Sequence, residues 1–244
     1  MNFRKALVRF ALLAAAWVFS SCIDGREEYW LEADGSGRAE ADYQIPETVA
    51  SFHGGEDGVR ALLRDFLDST PEIQNSSLHV STEGSRLRVK AAVSFSSALD
   101  LRNVVSGSAM HELPDAASHL AGTIQANLHG RTLDFKRTVS AGKAIPGACF
   151  LPNSNWQGHS LTYIMHLPAA PTSSNATRTE DAGRTLIWEF QLGQAVLQPV
   201  LTRFTMPVPI PWKWAALALP PSLLALWWMR RKRIVRETDS LTPS

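Results

Sequence analysis

Catalysis needs a nucleophile, a base or a set of metal ligands at the right spacing, and this chain offers few. His111-Glu112 starts like a zinc-binding His-Glu-x-x-His, but the second histidine is missing. Pro114 would also interrupt the helix which that motif requires. Ser140-Ala-Gly-Lys143 has the Ser-x-x-Lys spacing of a serine acylation site, yet the accompanying Ser-Asp-Asn and Lys-Thr-Gly motifs are missing from the chain. Cys149, beside Pro146 and Phe150, reads either as a reactive thiol or as a small buried residue. It and Cys22 are the two cysteines, too few for a metal site on their own, and zinc spacings are absent. The seven histidines are scattered, with His79 and His166 expected on outward strand faces. The expectation is therefore a non-enzyme with no metal and no cofactor.

The two ends of the chain carry the strongest signals. Residues 1–21 have a basic start (Arg4, Lys5) and an apolar run over Ala6–Phe19, the pattern of an export signal. It closes on Phe19-Ser20-Ser21-Cys22, which resembles the lipobox of bacterial lipoproteins, although Phe19 stands where a smaller aliphatic residue is usual. That resemblance implies acylation of Cys22. Near the other end, the segment from Trp214 to Met229 has no charged side chain. Trp212, Lys213 and Trp214 precede it; Trp227, Trp228, Arg230, Arg231, Lys232 and Arg233 close it. This is an aromatic belt around a single span with a cytoplasmic basic stop. Residues 212–229 would form a helix of about 27 Å, kinked at Pro220-Pro221. The predicted organisation is a signal at 1–21, an extracytoplasmic domain at 22–211, a membrane helix at 212–229 and a cytoplasmic tail at 230–244. That layout places the protein in a bacterial plasma membrane with its body outside.

Charge is segregated along the chain. Residues 23–211 hold 15 Lys and Arg against 21 Asp and Glu, a mildly acidic body that makes nucleic acid a poor partner. Asn75-Ser-Ser and Asn175-Ala-Thr fit glycosylation acceptors, which a bacterial export signal leaves without consequence.

The elements between the ends read as hairpins. Tyr29, Leu31 and Ala33 alternate with polar neighbours, Gly35-Ser-Gly37 turns the chain, and Ala39, Ala41, Tyr43 and Ile45 alternate back. Val59, Leu62, Leu63, Phe66 and Leu67 then share one helical face, which Pro71 ends. A second hairpin over 78–95 carries a basic stripe, Arg86, Arg88 and Lys90, facing either lipid headgroups or the acidic stripe Glu32, Glu40 and Asp42. A short helix is expected near 98–105 and a third hairpin over 124–139. Further strands are expected at 160–167, 184–192 and 200–206, with an exposed loop at 168–183. About nine mostly consecutive strands with one or two helices predict an α+β fold, one antiparallel sheet packed by a helix; the alternative is a β-sandwich. Such a sheet can enclose an apolar cleft, and Trp30, Trp156 and Trp188 are candidates to line it. Trp188 also reads as core, in step with Leu186 and Phe190.

Leu167-Pro168, Asn175-Ala-Thr and Gly183-Arg-Thr-Leu-Ile-Trp-Glu-Phe190, ahead of one C-terminal span and a basic tail, resemble the LppM-like bacterial lipoproteins, a domain of unknown function. The resemblance is carried by about residues 160–235. It implies a START-like half-barrel and an envelope-lipid ligand, and it assigns no functional residue. The expected function is a membrane-anchored lipoprotein that binds a lipid or other apolar envelope component. The alternative is a non-enzymatic scaffold for an envelope protein complex. In both, the partners are the bilayer and an envelope component.

Overall fold

The computed structural model describes residues 23–99, 104, 110, 113–144 and 156–208. The chain divides into two units, Met1–Val208 and Pro209–Ser244, and every described residue belongs to the first. Cys22, Cys149 and the predicted span at 212–229 lie outside the described residues, as does most of the helix expected near 98–105. Among the described residues no helix is long and apolar enough to cross a membrane.

Strand alternation builds the first layer. β1 (Asp24–Leu31) and β2 (Gly37–Pro46) form the first hairpin, with Glu27 opposite Ala41 and Tyr29 opposite Ala39. β2 then pairs with β4 (Arg86–Phe95), and β4 with β3 (Ile73–Glu83). On the other side of β1 lies β7 (Ser160–His166), parallel to it, followed by β10 (Thr185–Gln191) and β9 (Arg178–Glu180). The resulting seven-stranded sheet has the order β3-β4-β2-β1-β7-β10-β9.

A second sheet, β5-β6-β11-β8, consists of β5 (Thr123–His129), β6 (Thr132–Val139), β11 (Val200–Pro207) and the two-residue β8 (Ser173–Ser174). One apolar cluster joins the two sheets, drawing Leu161, Tyr163, Trp188 and Leu186 from the first and Phe135, Val139, Phe204 and Met206 from the second. Phe135 and Phe204 stack at 5.0 Å between ring centres.

Among the described residues, five short or medium α-helices complete the layout. α1 (Glu47–Ser51) and α2 (Gly55–Asp68) follow β2; α3 (Asp115–Ala121) precedes β5; α4 (Ala141–Ala144) follows β6; and α5 (Leu192–Leu197) links β10 to β11. α2 packs on β3, with Val59 joining Ala50, Val80 and Leu87 in a separate small core. It also covers part of the β3 edge. Arg60 donates to the Val80 carbonyl at 3.0 Å, and Glu56 Oε2 accepts the Thr82 N–H at 2.9 Å. Those backbone groups would otherwise offer a template for pairing with another chain.

The α+β class and the mainly antiparallel pairing are as expected from the sequence. Two points differ. The strands are shared between two sheets, because period-two alternation fixes which face of a strand is apolar and not which sheet the strand joins. The stretch at 168–183 is also more ordered than a plain loop, since it supplies β8 to the small sheet and β9 to the large one.

Candidate functional site

Among the described residues, two places concentrate polar chemistry, one sealed between the sheets and one open on the outer face of the large sheet.

The sealed place begins with a charge on an inward position. Gly25, Glu27, Tyr29 and Leu31 share the inner face of β1, so Glu27 points into the core, 6 % exposed. Arg137 reaches it from β6, 5 % exposed, with Nη1 2.5 Å from Glu27 Oε2 and Nη2 3.1 Å from Oε1. The guanidinium is saturated by donating further to the carbonyls of Ala121 (2.9 Å) and Leu120 (3.2 Å) and to Tyr29 Oη. Tyr29 and Tyr43 both donate to the Glu27 carboxylate. Gly25 makes room for this: a Cβ there would lie 2.4 Å from the Tyr43 ring. Burial works against the Glu27 charge, but Arg137 and the two phenols outweigh it and hold the carboxyl below its ordinary range. Burial likewise pushes the Tyr29, Tyr43 and Tyr163 phenols upward.

Tyr163 sits beneath the Arg137 guanidinium at 4.9 Å, and its buried hydroxyl has no hydrogen-bond partner among the described residues. The space beside it, lined by Tyr29, Phe135, Arg137, Trp188 and Thr202 among others, amounts to about 10 Å³. A lipid or drug-sized ligand needs roughly 300–1,000 Å³. This cluster therefore ties the sheets together and has no room for such a ligand.

The open place is the outer face of the large sheet. Arg26, Glu28, Glu40, Asp42, His79 and Lys90 are among the residues that line a cleft of about 380 Å³ there. Arg86, Arg88 and Lys90 all lie on this face. Arg88 grips Asp42 through two hydrogen bonds, 2.9 and 2.7 Å, and thereby lowers the Asp42 carboxyl. Lys90 stands 3.9 Å from the same carboxylate and is half exposed. Arg86 binds Asp24 at 2.9 Å. The basic stripe is thus paired in large part, with Asp42 and Asp24 as partners. Glu40 enters no ion pair among the described residues although it shares the cleft with Lys90.

The three tryptophans do not meet. Trp30 is on the outer face, with the Arg38 guanidinium 4.1 Å from its ring centre and the His166 ring stacked at 5.1 Å. Trp156 is buried beside Gly193 of α5. Trp188 is 1 % exposed in the inter-sheet core, where its Nε1 donates to Asn175 Oδ1 at 2.9 Å. Asn175 also accepts from the Arg203 N–H and donates to the Leu201 carbonyl, so it fastens β11 to the tryptophan of β10. Sequence inspection missed Glu27, Arg137 and Asn175 as organising residues. A charged side chain in phase with Gly25, Tyr29 and Leu31 was the available signal. Ser140 precedes the four-residue α4, which contains Lys143, so this pair lacks the long helix of a serine acylation site. Among the described residues no group of three His, Cys, Asp or Glu side chains gathers as a metal site.

No family model matches the chain, and no curated protein matches it. Among solved structures it is similar to the NMR structure of the folded domain of the Mycobacterium tuberculosis LppM protein. That similarity has a TM-score of 0.50 at 11 % identity and covers 78 % of this chain and 92 % of that one. At that identity the likeness is one of fold.

Proposed function

We propose that this chain is a bacterial membrane lipoprotein, acylated at Cys22 and held by the 212–229 span, whose outer domain binds a polar envelope component and performs no catalysis. The observation that carries the binding part is the contrast between the two faces of the large sheet. The inner face is packed by the small sheet at β1, β7 and β10 and by α1 and α2 at β3 and β4, and the space beside Tyr163 is about 10 Å³. The outer face bears a charged cleft of about 380 Å³. Among the described residues, the space beside Tyr163 is too small for an acyl chain, whereas a headgroup, a saccharide or a polar protein surface has both space and donors in the cleft. The fold likeness to the LppM folded domain is consistent with the family resemblance of the C-terminal half.

Lipid extraction and mass spectrometry of the purified chain, wild type and Cys22→Ala, test this directly. The expected result is an acyl modification lost in the variant and no further lipid retained at one equivalent. A lipid held stoichiometrically by both forms after stringent washing contradicts the polar reading. Absence of the modification in wild type contradicts the anchor.

A further inference from the structure

His166 lies at the end of β7 on the outer face, and both of its ring nitrogens are engaged. Nε2 is 2.7 Å from Glu28 Oε1 on β1, and Nδ1 is 3.0 Å from Thr185 Oγ1 on β10. Thr185 in turn donates to Asp181 Oδ2 at 2.5 Å. A threonine hydroxyl has one proton, and here it goes to a carboxylate that can only accept. Thr185 Oγ1 is therefore left to accept from His166 Nδ1, while Glu28 can only accept from Nε2. Satisfying both contacts requires a proton on each ring nitrogen, that is, an imidazolium.

Charged groups of both signs face the ring from the neighbouring strands. Glu28 faces it from β1, shared with Arg26 at 2.7 Å. Asp181 lies behind Thr185, and Glu180 of β9 is opposite Thr185 in the sheet register. The Trp30 ring stacks on the imidazole at 5.1 Å and 11°, and the Arg38 guanidinium of β2 lies 4.1 Å from the centre of the same indole. A cation over an indole face is attracted by the ring's charge distribution.

What the imidazolium holds in place is a strained turn. Asp181 and Ala182 take φ of 51° and 56°, a left-handed conformation that costs a non-glycine residue free energy and persists only where the surroundings enforce it. The Asp181–Thr185–His166–Glu28 chain supplies that enforcement, and the turn leads directly from the three-residue edge strand β9 into β10. We propose that His166 is a protonation-dependent pin. As an imidazolium it locks the turn at 181–183 and the β9 edge to the sheet, and on losing a proton it must release one of its two acceptors.

The sign follows from the proton count: the lock holds while both ring nitrogens carry a proton and is lost when one proton leaves, so it belongs to the low-pH form. Hydrogen exchange of the full chain, with protection corrected for the intrinsic pH dependence of exchange, tests it at the β9–β10 ladder amides. Ring ¹⁵N signals of His166 follow its protonation in the same samples. Wild type should lose about tenfold in protection over Arg178–Glu180 as the His166 signals move from imidazolium to a neutral tautomer, the worth of about one charge-assisted hydrogen bond. His166→Gln and Thr185→Val should show low protection with no pH step. Protection that ignores the His166 transition, or a pH step retained in His166→Gln, overturns the proposal.

Discussion

Arg137 Nη1 stands 2.5 Å from Glu27 Oε2, an ion pair that crosses from the small sheet to the large one with both side chains less than a tenth exposed. Such a pair is a weak source of net stability, because desolvation of two charges offsets their attraction, but it penalises any packing that separates them. It thereby sets how the two sheets face each other.

Removal of one partner is predicted to be costly and removal of both mild. Arg137→Met leaves an uncompensated buried carboxylate and should destabilise the fold by about 3–5 kcal/mol in denaturant titrations. Glu27→Met together with Arg137→Met should recover most of that loss. A double variant as unstable as the single one would place the contribution in packing rather than in charge.

The same pair gives the fold an acid limit. Glu27 titrates below its ordinary value in the folded chain, held there by Arg137, Tyr29 and Tyr43 against the effect of burial. A carboxyl depressed on folding adds stability that is fully present above its unfolded value of about 4.3 and is lost as pH falls through the folded value. Wild type should therefore lose stability steeply below about pH 4, and Glu27→Gln should show a shallower acid slope from a lower plateau. Equal slopes would mean that another group sets the acid limit.

Two tyrosines at this cluster should behave oppositely. Tyr43→Phe deletes a donor to the Glu27 charge and is expected to cost about 1–3 kcal/mol. Tyr163→Phe removes a buried hydroxyl with no partner among the described residues and should be neutral or stabilising by up to about 1 kcal/mol. Thermal melts of the two variants side by side check both.

Asn175→Ala should leave the Trp188 Nε1–H and the Arg203 N–H without their acceptor, at a cost of about 1–3 kcal/mol. The emission of Trp188 should shift as well. Asn175→Asp retains the acceptor oxygen and should recover part of the loss.

The hairpins at 29–45, 78–95 and 124–139 were legible because alternation around a Gly-containing turn has few other readings. α2 was legible from the one-sided placement of Val59, Leu62, Leu63, Phe66 and Leu67. The parallel pairing of β1 with β7 was not, because it joins residues about 136 positions apart and leaves no local trace. The role of Asn175 was hidden for the same reason: its three partners, Trp188, Leu201 and Arg203, lie on β10 and β11, while its own neighbourhood, Ser173-Ser-Asn-Ala-Thr177, reads as a loop. Trp30, Trp156 and Trp188 read as candidates for one apolar cleft, with Trp188 also in phase with the core residues Leu186 and Phe190. Three-dimensional pairing separates them onto the outer face, the flank of α5 and the inter-sheet core. For the basic stripe, strand alternation correctly put Arg86, Arg88 and Lys90 on one face, and the register of β4 against β2 then decides that Asp42 lies within their reach.

Binding at the outer cleft is the central claim, and site-specific photo-crosslinking in the native membrane tests it most directly. A photoreactive side chain at Ser77, on the cleft wall, should give a reproducible polar adduct that is lost when Glu40→Ala and Lys90→Ala are combined with it. The same group at Gln125, exposed on the small sheet, should give none. An adduct that survives the double substitution, or one that appears equally at Gln125, would contradict the account.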